Sequence, residues 1–352
     1  MRGSIRSGLN HSSRCLIVDS WPATQRRFRW QVPEGIAVSY FDEFLQKRRL
    51  LTGESRRELL NRSTGQPPYP HARIPSAVGD QALLEAWVMH RLQRAWMGAD
   101  ARPLGAVRIR IPEHRTPIIH LDERRSVATS VALRWCEELL PCGGPDGETQ
   151  SGVPGLRVLA SSRGDLIVGL AGTAATLTVR AACSWREVLQ LRRDEAEGAG
   201  AIPRWDPKKP VGAYEDYEMW LLTDLASLGS ALLRRLAIFH QMGTPYIVDG
   251  WENADTWILE LTTDDISSCS PQLARRHDEF LALLLDEHLG VPLRIDNVHC
   301  ICTQPFGYGT ACYHTLAPTT GPASWHLQIR FRWVPGQHAY VRRPRSTVSR
   351  RQ

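Results

Sequence analysis

The sequence predicts an α+β fold, with helices packed on antiparallel sheets and two subdomains, and three observations carry that prediction. Three short strands follow one another between Leu156 and Cys183 with only turns between them, at Arg163-Gly164 and near Gly172-Thr173. Two segments of helical period precede this meander, and the last third of the chain returns to strands. Strands and helices are interleaved mostly by hairpins, and not in the strict succession of strand, helix and strand that parallel βαβ units require.

Residues 34–78 mix short apolar runs with Pro, Gly and Arg, and the stretch from Thr64 to Pro70 is a loop by composition. The first clear helix has Asp80 as its N-cap. Leu84, Trp87, Val88, Leu92, Ala95 and Trp96 fall on one of its faces, and Gly98 ends it. A strand over 106–111 leads to a second helix over 122–140, in which Val127, Val131, Trp135 and Leu139 recur every four residues. Pro141, Gly143, Gly144, Pro145 and Gly147 then break the pattern. Residues 141–155 therefore read as a linker between a mainly helical subdomain, 34–140, and an α+β domain, 156–338.

Within that second domain the meander covers 156–160, 166–170 and 176–183. Gly169-Leu170-Ala171-Gly172-Thr173 opens onto a strand rather than a helix, so it reads as a hairpin turn and not as a phosphate loop. Ser184 and Glu187 have the spacing of a capping box, with Val188 and Leu191 continuing the helix. After a loop over 203–210 one long helix is expected over 214–242, closed by Gly243. Strands at 246–248 and 256–261 come next. Ser270 as N-cap and Pro271 at the first helical position start a further helix, which Gly290 stops. The chain ends in strands at 293–303, 310–316 and 325–333.

Charge is distributed unevenly along this framework. The 352 residues carry 43 Lys plus Arg against 37 Asp plus Glu, for a net charge of +6, and all but three of the basic residues are arginine. The lysines Lys47, Lys208 and Lys209 stand in no GK[ST] loop and on no apolar strand, which excludes P-loop and Schiff-base chemistry. Residues 1–33 hold six arginines and the single acid Asp19; residues 297–352 hold seven arginines and no acid. The body between them is acidic, with a net charge of −6. Attraction to a polyanion is thus expected from the two ends.

The basic N-terminal segment, 1–33, is rich in Arg and Ser, and places Ile5 and Leu9 beside Arg2 and Arg6. That is the composition of a mitochondrial transit peptide, or of a disordered basic arm. It lacks the apolar stretch of a secretory signal, and no run of 18 apolar residues occurs anywhere, so no membrane span is expected. Eight cysteines in a chain of this length do not make a disulfide scaffold. A reducing compartment fits, and the mitochondrial matrix agrees with both features.

Two constellations near the C-terminus carry chemistry. The first is His299-Cys300-Ile301-Cys302 followed by Cys312-Tyr313-His314. A hairpin centred on Gly307 would set Cys300 opposite His314 and Cys302 opposite Cys312, all four on one face. Three thiolates and an imidazole form a structural zinc set by ligand type, but not by the spacing of the common knuckles. The alternative is a row of ordinary core side chains. The second is HLQIRFRWVPGQHAYVRRPR, in which Ile329, Phe331 and Trp333 alternate with Arg330 and Arg332, and Arg342, Arg343 and Arg345 follow in a basic tail, 339–352. Arginine for phosphates and aromatic rings for unstacked bases are the elements of a nucleic-acid surface. The plainer alternative is an amphipathic strand with a core face and a solvated face.

No GxSxG, HExxH or strand-borne GxGxxG is present. The expected function is therefore association with RNA, as a structural or accessory subunit of a mitochondrial ribonucleoprotein or RNA-processing complex. Arg330, Arg332, Trp333, Arg342, Arg343 and Arg345 would contact the RNA, and the acidic body would meet protein neighbours. No cofactor is expected beyond a structural zinc on Cys300, Cys302, Cys312 and His314. Two alternatives are an α+β enzyme with a Cys/His site in the C-terminal sheet, and a viral structural protein that binds nucleic acid.

Overall fold

The computed structural model of the protein describes residues 40–62, 74–94, 105–111, 116–121, 125–144, 149–239, 246–262, 271–299, 311–320 and 324–332. All of them fall in one compact unit that begins at Val38. In chain order the elements are α1 (Tyr40–Thr52), α2 (Arg56–Arg62), α3 (Gly79–Arg94), β1 (Ala106–Arg110), β2 (Ile118–Leu121), α4 (Arg125–Leu139), β3 (Cys142–Gly143) and β4 (Thr149–Ser151). The meander β5 (Leu156–Ser161), β6 (Asp165–Leu170) and β7 (Thr176–Arg180) is followed by α5 (Trp185–Gly198), β8 (Ile202–Pro203), α6 (Ala213–Met219), α7 (Ala226–Leu233) and a 3₁₀ turn, Leu236–Phe239. Last come β9 (Tyr246–Asn253), β10 (Thr256–Thr262), α8 (Pro271–Leu284), β11 (Leu293–His299), β12 (Ala311–Pro318) and β13 (His326–Arg332).

The class is α+β, as expected, but the two large sheets are mixed rather than purely antiparallel. The first has the order β1-β2-β7-β6-β5 and the second β11-β12-β13-β10-β9, each with a single parallel pair, β2 with β7 and β10 with β13. Strand β10 is an interior strand, and its run Trp257 to Leu261 is buried on both faces, so it reads as continuous apolar sequence except at Glu260. Strands from both sides of residues 141–155 share the first sheet, and that stretch itself supplies β3 and β4 to a small third sheet with β8.

Helix α3 lies at the centre. It packs on α7, touches β9 of the second sheet and reaches β6 and β7 of the first. Its sequence suggests one apolar face, yet every residue from Ala82 to His90 is buried. The polar ones are matched individually. Glu85 accepts from Arg234 Nε and Nη2, both at 2.7 Å, from Ser230 at 2.7 Å and from Gln81 at 2.9 Å. Gln93 Oε1 accepts from the Trp257 indole at 2.5 Å. Helix α7 comes close because Gly229 faces Ala86: a Cβ at Gly229 would lie 2.6 Å from that of Ala86 and 2.7 Å from the Trp257 ring.

A second buried ion pair ties α6 to the meander. Arg157 and Glu215 meet in a bidentate contact, 2.7 and 3.0 Å, and the Gly155 amide donates to the same carboxylate at 2.9 Å. The single helix expected over 214–242 does not form. The chain breaks after Met219, whose carbonyl accepts from the Trp87 indole at 2.8 Å, while the Trp220 carbonyl accepts from Thr223 Oγ1 at 2.6 Å. Helical acceptors are thereby diverted, and Trp220 is 43% exposed, whereas Trp87 and Trp135 are buried. Helix α5 starts after Ser184 as read, but no side-chain capping bond is made there. The capping box occurs instead at α2, where the Ser55 amide donates to Glu58 at 2.8 Å and the Glu58 amide to Ser55 Oγ at 3.3 Å.

Removing one member of the central pair leaves an uncompensated buried charge. Glu85→Ala and Arg234→Ala are each expected to lower the unfolding free energy in urea by about 3–5 kcal/mol, and the double change Glu85→Leu with Arg234→Met by much less. Gly229→Ala, which overpacks the α3–α7 contact, should cost about 1–3 kcal/mol in the same assay.

Candidate nucleic-acid interface

The C-terminal arginines begin on β13, and its alternation divides the second sheet into two faces. Leu327, Ile329 and Phe331 are buried and stand opposite Leu316, His314 and Cys312 on β12 and Trp257, Leu259 and Leu261 on β10. This is the core face, on which α8 packs: Phe331 stacks on His277 at 3.8 Å between ring centroids and meets Phe280 and His314 edge to face.

The opposite face is half open. Direct register partners run across it in two rows, Asp249, Glu260, Arg330, Tyr313 and His299, then Trp251, Ile258, Gln328, Thr315 and Asn297. Arg330 lies with its guanidinium carbon 5.1 Å from the centre of the Trp251 ring. Its Nε donates to Gln328 Oε1 at 2.6 Å and its Nη1 is 3.8 Å from Glu260. One strand further, Tyr313 and His299 stack at 4.7 Å with an interplanar angle of 18°. A guanidinium and three flat rings therefore lie near one another on one face, groups whose chemistry is suited to stacking and to an anion.

Of the residues expected to contact nucleic acid, Arg330 takes its place on this face, and Arg332 pairs with Ala311 at the end of the ladder. Trp333, Arg342, Arg343 and Arg345 lie outside the described residues. Sequence reading missed Trp251, because only the β10–β13 pairing brings β9 next to Arg330. Tyr313 was within reach: period-2 alternation sets it opposite in direction to Cys312 and His314.

The expected cysteine register is not the observed one. Val298 faces His314 and His299 faces Tyr313, a slip of two residues from the expected pairing, with an irregularity between Ile295 and Asn297 that resets the ladder. Cys312 is 1% exposed on the core face, and His314 lies on the same face with its Nδ1 buried and without a hydrogen-bond partner. Cys300 and Cys302 lie outside the described residues. Among the described residues no group of three or more His, Cys, Asp or Glu side chains is placed to hold a metal ion. No helix among them is long and apolar enough to cross a membrane.

His277 gives the core face a pH dependence. Burial, and then the neighbouring His314, push its imidazole down to about 4 from 6.5. As pH falls the unfolded chain takes up this proton first, so the stability it carries is whole above about 6.5 and is lost toward 4. Urea unfolding at pH 7.5 and 5 should show a loss roughly 2 kcal/mol larger in the parent protein than in a His277→Phe variant, which keeps the stack on Phe331.

Comparison of the chain with models of protein families, with curated proteins and with solved structures finds no match in any of the three, so the chemistry of this sheet face has to carry the functional reading.

Proposed function

We propose that this protein is an RNA-associated subunit of a ribonucleoprotein or RNA-processing assembly, of the mitochondrial matrix by the composition of residues 1–33, and that the open face of its second sheet meets single-stranded RNA. The observation that carries this reading is the group formed by Trp251, Arg330, Tyr313 and His299 on the half-open face of the second sheet. The acid-free sequence from Asn297 onward, with its seven arginines, supplies the sign of charge that a polyanion needs.

A protein neighbour is supported by a separate feature. Tyr214, Tyr217, Trp220 and Leu221 on α6 and the turn after it are 47, 65, 43 and 56% exposed and follow helical spacing, so they form one apolar stripe. Asp216 and Asp224 flank it. Aromatic residues grouped in this way are the usual core of a protein–protein contact. The alternative of a Cys/His enzyme is less well supported, because Cys312 and His314 face the core and not a cleft.

Fluorescence anisotropy with a labelled single-stranded RNA across a salt series tests the reading. Affinity should fall steeply with salt, and removing residues 339–352 should flatten that dependence. Trp251→Ala and Tyr313→Ala should each weaken binding by roughly 1–3 kcal/mol with little change in salt slope. Binding that ignores both salt and these two rings would refute the proposal.

A further inference from the structure

The first sheet also has a face turned away from the core, and its chemistry differs from that of the second. Arg108 on β1, His120 on β2, Arg180 on β7 and Asp165 on β6 are direct register partners and so project from the same side. Arg110 lies two residues along β1 from Arg108 and projects from that side too. Three guanidiniums thus surround one histidine. Two are tied to carboxylates, Arg108 to Glu58 at 3.1 Å and Arg180 to Asp165 in a bidentate contact of 2.6 and 3.0 Å. The Nε of Arg110 is buried and without a hydrogen-bond partner.

The histidine fixes what such a face would accept. His120 is 3% exposed, and its Nδ1 lies 3.1 Å from Arg108 Nη2. A guanidinium can only donate, so Nδ1 is the acceptor and the ring proton of the neutral imidazole sits on Nε2. Burial holds this ring neutral, with Arg108, Arg180 and Arg110 acting in the same direction against Glu58, so that its pKa is near 4. Nε2 is therefore a buried N–H donor, and it has no hydrogen-bond partner. A buried donor left unmade is destabilising, and this one is set among positive charges that outnumber the carboxylates beside them. What completes it is an acceptor with negative charge. The cluster reaches solvent at its rim, where the side chains of Arg108 and Arg180 are 26% and 41% exposed, while His120 Nε2 itself is covered, so a ligand would have to displace part of that cover to reach it.

We propose that Arg108, Arg110, His120 and Arg180 form a phosphate-binding site, in which His120 Nε2–H donates a hydrogen bond to one phosphoryl oxygen and the guanidiniums hold the remaining charge. The ligand chemistry is that of a phosphoryl oxyanion, offered either by a free phosphate ester or by a polynucleotide backbone. The site lies on a different sheet from Trp251 and Arg330, so it stands or falls independently of the RNA reading.

The test follows the His120 side-chain Nε2–H resonance by NMR while inorganic phosphate is added to the full chain, with calorimetry for affinity. Phosphate should shift that resonance saturably, and Arg110→Gln should weaken the affinity by about tenfold or more while its urea unfolding curve stays close to that of the parent. Trp251→Ala should leave the phosphate response intact. A single-stranded RNA oligonucleotide then identifies the source: displacement of phosphate from His120 assigns the site to the backbone, and persistence of the phosphate signal assigns it to a free phosphate ester. A His120 resonance that does not respond to phosphate, or an Arg110→Gln protein that binds phosphate as tightly as the parent, overturns the proposal.

Discussion

A carboxylate and a guanidinium meet in the middle of the protein, and the layout of the rest follows from them. Glu85 and Arg234 are both fully buried, and each hydrogen bond that satisfies them comes from a different part of the chain: Gln81 one turn earlier on α3, Ser230 one turn earlier on α7, and the Pro75 carbonyl ahead of α3. An ion pair in this setting adds little net stability over a well-packed apolar pair. It does fix register. Sliding α3 past α7 by one turn would strand both charges, and the Gly229–Ala86 approach would be replaced by a clash or a gap. Because α3 also touches both sheets, locking it against α7 positions β9 on one side and β6 and β7 on the other.

That arrangement decides where function can reside. Each sheet spends one face on the central helices: Ile109, Ile119, Val179 and Leu166 in the first, Trp257, Leu259, Ile329 and Phe331 in the second. Strand alternation then obliges each sheet to turn a second set of side chains outward. These outer sets are not neutral filler. The first sheet gathers arginines around a buried histidine, and the second sets Arg330 among Trp251, Tyr313 and His299. The first arrangement suits a compact charge, the second an extended flat ligand.

The elements themselves were largely legible, since hydrophobic period locates α3, α4, the meander and the three C-terminal strands within a few residues. What was not legible depends on pairings distant in sequence. The parallel partnership of β10 with β13 joins residues about seventy positions apart, and without it Trp251 has no evident relation to Arg330. The hairpin of β11 with β12 pairs two residues away from the register that the symmetric pattern of cysteines suggests, and an irregularity between Ile295 and Asn297, which no local pattern announces, shifts the ladder by one residue along its length. The helix expected over 214–242 failed for a similar reason: Trp87, more than a hundred residues earlier, takes the Met219 carbonyl. The two S-x-x-E signals show the limit of local reading. Identical in pattern, they form a capping box at Ser55 and Glu58 but not at Ser184 and Glu187.

The state of Arg330 bears on how the second sheet would use its rings. Its Nε is committed to Gln328, one Nη stands near Glu260, and its plane is covered on one side by Trp251. A side chain so held loses little entropy on binding, but it has fewer donors left for a phosphate than a solvated arginine has. Its charge is also partly balanced by Glu260 within the same row. The sheet is consequently better suited to stacking than to neutralising a backbone, and stacking alone is tolerant of sequence. On the proposed reading, long-range attraction to RNA would rest on the excess of positive charge in the sequence after Asn297, where no Asp or Glu occurs. The net charge of +6 conceals this division of labour: flat rings held rigidly on a sheet that emerges from an acidic body, and a concentration of positive charge in the sequence that follows it.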